Sequence, residues 1–176
     1  MEAHVIGSIV QERIEQIVRE EVAKWLRERV AQQTPTVRFT LDDGLDEDTF
    51  APNRAHDTDA GADLHTTHDV MVPAHGSAVI HTGVHVELPH NTCGLLVSKS
   101  GLNVKSSLTS TGLIDEGYTG EIMVKLYNDS ERDYFFYAGE KVSQLVLIQI
   151  PYPTYVQADS IDGGERSDSG FGSTGK

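Results

Sequence analysis

Cysteine is nearly absent. Cys93 is the only one in 176 residues, which excludes an intrachain disulfide and suits a reducing compartment. Basic runs are absent as well: 14 lysines and arginines face 27 aspartates and glutamates, for a net charge of −13. That argues against a nucleic-acid polymer as partner, because duplex binding draws on basic patches. A small polyanion stays admissible where a few cations meet at one point. No apolar run approaches the ~20 residues that a membrane span needs, and the N-terminus alternates charged and apolar residues without a leader-like apolar core. The expectation is a soluble, cytoplasmic protein with no membrane association. Hydrophobic residues make up only 38% of the chain, enough at this length for one domain with a core, plus an appendage.

What is present falls into four stretches. Residues 8–32 carry Val10, Ile14, Ile17, Val18, Val22 and Trp25 at three- and four-residue spacing, the pattern of one amphipathic helix. Ser8 is placed to cap it, Glu15–Arg19 and Glu20–Lys24 support its outer face, and Pro35 blocks continuation. Its apolar stripe must lie on this protein's own assembly or on a foreign partner. Residues 42–59 hold seven carboxylates around Pro52 and read as a solvated acidic linker. They lack the spacing of a calcium loop. From residue 60 onward come short β-prone runs separated by Gly, Pro and Asn: Val70–Val72, Ala78–His81, Val84–Leu88, Gly94–Val97, Glu121–Tyr127, Tyr134–Tyr137 and Val142–Ile150. Within Glu121–Tyr127, Ile122, Val124 and Leu126 alternate with Glu121, Met123 and Lys125, as in a half-buried strand. Many short strands with almost no helix between them predict an all-β sandwich, jelly roll or barrel. The boundaries that follow are 1–34 for the helix, 35–58 for an extended acidic linker with a first strand, 59–162 for the β domain and 163–176 for a flexible arm.

The arm has five glycines in fourteen residues and cannot hold its own shape. It nevertheless carries Arg166 and Phe171, a pair suited to close over a planar, anionic ligand by charge pairing and stacking. The stretch 107–128 is the second candidate. Its glycines allow close backbone approach and a tight hairpin, Asp115 leaves the core at a strand end, and Tyr118 lies where its ring can wall a pocket. Read alone, the same residues also fit an ordinary turn. Residues 98–101, SKSG, bring Lys99, Ser100 and Gly101 together where backbone N–H groups can meet phosphate oxygens, although a plain surface turn has the same sequence.

Taken in order, AGADL (60–64), SKSGL (98–102), GLIDEGYTG (112–120), GEKVSQL (139–145) and RSDSGFGSTG (166–175) closely resemble the five motifs of the trimeric dUTPase family. The resemblance implies a jelly-roll-like β protomer, here with an added N-terminal helix, that assembles as a homotrimer with shared active sites. It implies hydrolysis of dUTP to dUMP and pyrophosphate, with Mg²⁺ held by the triphosphate rather than by the protein directly. By match to the family, Asp115 is the catalytic carboxylate that orients and deprotonates the attacking water. Lys99 and Arg166 compensate phosphate charge, helped by the neutral donors Ser100 and Gln144 and the backbone at Gly101. Tyr118 packs on the deoxyribose. Backbone of the 109–115 hairpin, including Thr109, Gly112, Leu113 and Ile114, reads uracil together with Met123. Phe171 stacks on the base, and Gly172 and Ser173 belong to the same closing arm. Asp63 matches the first motif's acid, implied to act through water near the metal or phosphates.

Two positions depart from the pattern: Lys99 and Lys141 stand where arginine is usual, keeping the charge without the bidentate fork. Asp168 also adds a negative charge near Arg166. The closest enzymatic alternative is a dCTP deaminase, which resembles this region but carries a glutamate where this chain has Lys125. A regulatory or interaction protein that uses the dUTP site as a sensor is the non-enzymatic alternative, motivated by the unassigned helix. Gly170–Lys176 spells a Walker-like G-x-x-x-x-G-K but lacks the following Ser/Thr, the strand before and the helix after. His81 and His85, read as sharing a strand face, lack the further ligands a transition-metal site needs.

Overall fold

The computed structural model describes residues 13–25 and 35–161. A helix, α1, covers 13–25. Then follow β1 (Arg38–Leu41), a one-turn helix α2 (Glu47–Phe50), β2 (Gly61–His65), β3 (Val70–Val72), β4 (Gly76–His81), β5 (Val84–Glu87) and β6 (Thr92–Val97). Helix α3 (Ser100–Ser106), β7 (Leu108–Ile114), β8 (Met123–Asn128), β9 (Tyr134–Phe136) and β10 (Lys141–Gln149) complete the chain. The all-β, jelly-roll-like architecture expected from the sequence is the one found. A six-stranded antiparallel sheet in the order β2-β10-β6-β7-β8-β4 is accompanied by two ribbons, β1-β5 and β3-β9.

The alternation in β8 does what its pattern demands. Val124 and Leu126, with Ile122 just before the strand, are buried, while Met123 and Lys125 face outward. They join Leu64, Val72, Ile80, Val84, Leu96, Leu108, Phe136 and Val142 in one core cluster, each fully buried side chain contributing roughly 1.5–3 kcal/mol. Two strands escape a sequence reading. β2 holds Gly61 and Asp63 and no β-branched residue, and in β7 the strand-favouring Thr109, Thr111 and Ile114 are interrupted by Ser110 and Gly112, so neither shows an unbroken strand pattern. Both are held by sheet neighbours instead.

Strand β7 has two partners, and this positions the site. Leu108–Ser110 pairs with β8 (Leu108↔Asn128, Ser110↔Leu126), whereas Thr111–Ile114 pairs with β6 (Val97↔Thr111, Gly94↔Ile114). β8 stays paired with β4 along its whole length. The two strands therefore separate beyond Ser110 and Leu126, leaving a notch between 111–115 and 122–125. Backbone groups alternate sides along a strand, so every second residue on each arm turns its N–H and C=O into that notch.

The acidic segment is not entirely loop. Asp46 caps α2, its Oδ2 accepting from Thr49 N at 3.1 Å and from Thr49 Oγ1 at 2.7 Å, the usual satisfaction of a helix N-terminus. In α1 the stripe of Ile14, Ile17, Val18, Val22 and Trp25 is about half exposed throughout. Ser8, Val10 and residues 26–32, which the sequence reading included in this helix, lie outside the described residues. Among the described residues no helix is long and apolar enough to cross a membrane.

Candidate active site

Strand register puts Asp63 of β2, Gln144 of β10, Val97 of β6 and Thr111 of β7 in one row across the sheet. Ser98 and Lys99 follow Val97 directly. Lys99 Nζ reaches back to Asp63 Oδ1, and Lys141 Nζ contacts Asp63 Oδ2 at 2.7 Å. Asp63 is buried. Burial opposes its ionisation, but hydrogen bonds from Lys141 and Lys99 and their charges outweigh this and hold the carboxyl below its ordinary range. Each lysine takes one oxygen, leaving the triad a net charge of +1. His65, opposite Lys141 in the register, is buried with Nδ1 lacking a hydrogen-bond partner. Burial, then the Lys141 charge, lowers its pKa, so it stays neutral beside the two ammonium groups.

Beneath this row lies a hydroxyl network. Ser98 Oγ accepts from Ser110 N at 2.8 Å and donates to Ser110 O at 3.2 Å. Ser110 and Ser143 share a hydrogen bond of 2.8 Å between their hydroxyls, and Ser143 Oγ donates to Val97 O at 3.1 Å. Gln144 Nε2 donates to Ser98 O at 3.2 Å. The strand end that presents Lys99 is thus fixed by the Ser110 backbone of β7 and the Ser143 and Gln144 side chains of β10. Ser100 and Gly101 open α3, in which the first backbone bond is Asn103 N to Lys99 O at 2.9 Å, so their own N–H groups have no intrahelical acceptor. Thr109 Oγ1 is paired with Asn103 Nδ2 at 3.1 Å.

Asp115 emerges exposed immediately after β7, at the mouth of the notch. Gly112, Leu113 and Ile114 form one arm of that notch, with Leu113 exposed, and Met123 opens the other. The 115–121 loop between them is tightly built. Tyr118 N donates to Asp115 O at 3.1 Å, and Gly117 turns the chain at φ +85°, a conformation that glycine adopts without strain. Tyr118 Oη donates to Glu121 O at 3.0 Å, laying the ring over Gly120, where an added Cβ would sit 2.5 Å from the hydroxyl. Three imidazoles pin this loop, two through its carboxylates and one through a backbone carbonyl. Glu116 accepts from His90 Nδ1 at 2.8 Å, and Glu121 from His81 Nδ1 at 2.8 Å and Gly83 N at 2.9 Å. His85 meets Thr119 O through Nδ1 and Asp42 Oδ1 through Nε2, both at 3.0 Å. Both His85 partners are acceptors, so keeping both bonds requires the imidazolium. The Thr119 carbonyl first, then Asp42, raises its pKa.

The structure therefore brings Asp63, Lys99, Ser100, Gly101 and Gln144 to one end of the sheet, and Gly112, Leu113, Ile114, Asp115, Tyr118 and Met123 around the notch. Arg166, Phe171, Gly172 and Ser173 lie outside the described residues. Sequence reading missed Glu116, Glu121 and the three serines, whose partners come from distant parts of the chain. It also placed His81 and His85 on one strand face; they lie on β4 and β5, across the turn at Thr82–Gly83. A concavity of about 400 Å³ over the β1–β5 ribbon, with Phe39, His85 and Thr119 at its walls, contains neither Asp115 nor Lys99. The chemistry-bearing groups sit instead on the open notch.

Fold and site together define a jelly-roll β protein with a backbone-edged notch, an exposed carboxylate at its mouth and a lysine pair sharing one buried acid. The dUTPase family model matches residues 47–175. A deoxyuridine 5'-triphosphate nucleotidohydrolase from Eremothecium gossypii is 36% identical over 143 residues, spanning 80% of this chain and 92% of that protein. Among solved structures, the Staphylococcus bacteriophage 80alpha dUTPase with dUPNHPP superposes with a TM-score of 0.72 at 31% identity, over 80% of this chain and 99% of the phage chain. A phage phi11 dUTPase whose structure shows coordination of a structural Mg(II) ion gives 0.64 at 29% identity, over 73% and 99%. The chain belongs to the dUTPase family.

Proposed function

We propose that this protein hydrolyses dUTP to dUMP and pyrophosphate, with Asp115 as the base. The observation that carries the reading is Asp115 itself: an exposed carboxylate at the mouth of a notch edged by unpaired strand backbone, in a chain of this family. Uracil enters between the 111–115 arm and Met123, where alternating N–H and C=O groups match the donor and acceptor edge of a pyrimidine. Tyr118, held by its bond to the Glu121 carbonyl, packs on the deoxyribose and leaves no room for a 2′-hydroxyl. The triphosphate runs toward Lys99, Ser100, Gly101 and Gln144, with Arg166 and Phe171 supplied by the arm. Asp115 takes a proton from water as its oxygen bonds to the α-phosphorus. The bond from that phosphorus to the bridging oxygen breaks, and pyrophosphate leaves. Positioning and proton removal of this kind contribute several kcal/mol each.

The donor set suits Mg²⁺ that brings its own ligands. Among the described residues no three His, Cys, Asp or Glu side chains converge to cage an ion, and hard phosphate oxygens with waters are what Mg²⁺ prefers. When bound, the ion neutralises phosphate charge. Both Asp63 oxygens are engaged by lysines, yet a carboxylate keeps further lone pairs for an ordered water. A homotrimer with shared sites is part of the same proposal, supported by the exposed apolar side chains of Tyr155, Val156 and Ile161 after β10, which a second copy would cover.

The test is pyrophosphate release from dUTP, dTTP, dCTP and UTP with magnesium, for the native chain and Asp115→Asn. Turnover of dUTP alone, falling by roughly 10²–10⁴-fold in the variant, supports the reading. Equal turnover of the four nucleotides, or an undiminished variant, overturns it.

A further inference from the structure

Glu116, next to the proposed base, accepts hydrogen bonds from two remote parts of the chain. Oε1 takes His90 Nδ1 at 2.8 Å, while Oε2 takes Asn91 N at 2.8 Å and Tyr152 Oη at 2.5 Å. His90 and Asn91 form the β5–β6 turn, with Asn91 in the left-handed region at φ 60°, and Ile150 N donates to Asn91 O at 2.8 Å. Tyr152 stands just past β10, its ring centroid 6.2 Å from that of His90. One carboxylate thus ties the Asp115 loop, the β5–β6 turn and the root of the C-terminal segment into a single knot.

The chemistry keeps that knot closed across the working pH range. The Tyr152 hydroxyl, followed by His90, pulls the Glu116 carboxyl down to about 2, and Glu116 pushes the Tyr152 hydroxyl up to about 12. Donor and acceptor are each in the form that the bond needs. Asp115 also contributes to the rise at Tyr152, so the charge of the proposed base reaches this hydroxyl.

We infer that Glu116 and Tyr152 form a positioning pair that sets where Asp115 stands relative to the sheet and the C-terminal segment. The inference rests on Asp115 being the base. Neither residue lies among the groups proposed to hold uracil or phosphate, so loss of the pair should affect the rate of the chemical step rather than nucleotide affinity.

The experiment measures kcat, KM and melting temperature of the full chain as wild type, Glu116→Gln, Tyr152→Phe, the double variant and Asp115→Asn, with binding of a non-hydrolysable dUTP analogue. A loop misplaced by an ångström loses on the order of 100-fold in rate. That is the loss expected in kcat for Glu116→Gln, with about a tenth of it for Tyr152→Phe and KM and analogue affinity held within about twofold. The double variant should be no worse than Glu116→Gln, since the pair acts as one unit. Unchanged kcat in both single variants, or kcat and KM worsening together with a fall in melting temperature, overturns the pair's role. If Glu116→Gln does not fold, Tyr152→Phe decides alone. Where wild type is active and only Asp115→Asn fails, this inference falls and the proposed function stands. Where wild type releases no pyrophosphate from dUTP, both fall.

Discussion

Asp63→Asn isolates the strongest electrostatic feature of the site. The change keeps side-chain volume but leaves two ammonium groups without their counter-charge. Removing one member of a buried ion pair typically costs about 3–5 kcal/mol. Here the Lys99 and Lys141 side chains are 27% and 42% exposed, so both can turn toward water, and solvent screening reduces the loss to about 2 kcal/mol. For a chain of this size that lowers the melting temperature by about 4–8 °C. The pH dependence is the sharper test. The folded pKa of Asp63 is depressed, so its contribution is fully present above the unfolded value near ~3.9 and disappears as pH falls through the folded value. Thermal melts of wild type and variant, followed from pH 7 down toward ~3, should therefore stay separated until about pH 4 and then converge. Identical melting at pH 7 would refute the assignment of Asp63 as the lysines' counter-charge. So would a gap that does not narrow in acid.

Other outcomes follow from the loop and its supports. His85→Gln should lower the melting temperature mainly at acidic pH. A raised histidine pKa gives stabilisation that is complete below the unfolded value near ~6.5 and lost as pH rises through the folded one, so melts of the two proteins should coincide under alkaline conditions. Gly120→Ala puts a methyl within 2.5 Å of the Tyr118 hydroxyl and must displace the ring; the UTP-to-dUTP ratio of kcat/KM should rise, and an unchanged ratio would mean that Tyr118 does not exclude the 2′-hydroxyl. Truncation after residue 162 should leave melting nearly normal while nearly abolishing dUTP hydrolysis. Mixing that truncated chain with Asp115→Asn chains should restore part of the activity if sites are shared between copies.

Legibility in the sequence followed locality. Ile122, Val124 and Leu126 announce a strand because an alternating pattern is complete within seven residues. Asp115 and Tyr118 announce a loop because Gly117 and Gly120 flank them. β2 and β7 were illegible for the opposite reason: Gly61, Asp63, Ser110 and Gly112 have little strand preference of their own and interrupt the pattern, and the pairing is imposed by β10, β6 and β8. The hydroxyl chain from Ser98 through Ser110 to Ser143 joins residues that no spacing relates. Glu116 had one visible signal, its place beside Asp115, but nothing local marks His90, Asn91 and Tyr152 as its partners.

The two lysine departures become intelligible only in the folded sheet. An arginine at either position would span both oxygens of an acid with its fork. Two such forks would compete for the single two-oxygen edge of one carboxylate. Lys99 and Lys141 are point charges, and here each takes a single oxygen of Asp63, so one acid anchors both cations and still leaves a net positive charge. Asp63 holds the two ammonium groups in place and partly neutralises them, which trades strength of attraction for an anion against fixed position. In a chain with a net charge of −13, free ammonium groups have many other carboxylates to pair with. Anchoring them to one buried acid beside the Ser98–Ser110 support keeps their charge where the notch ends.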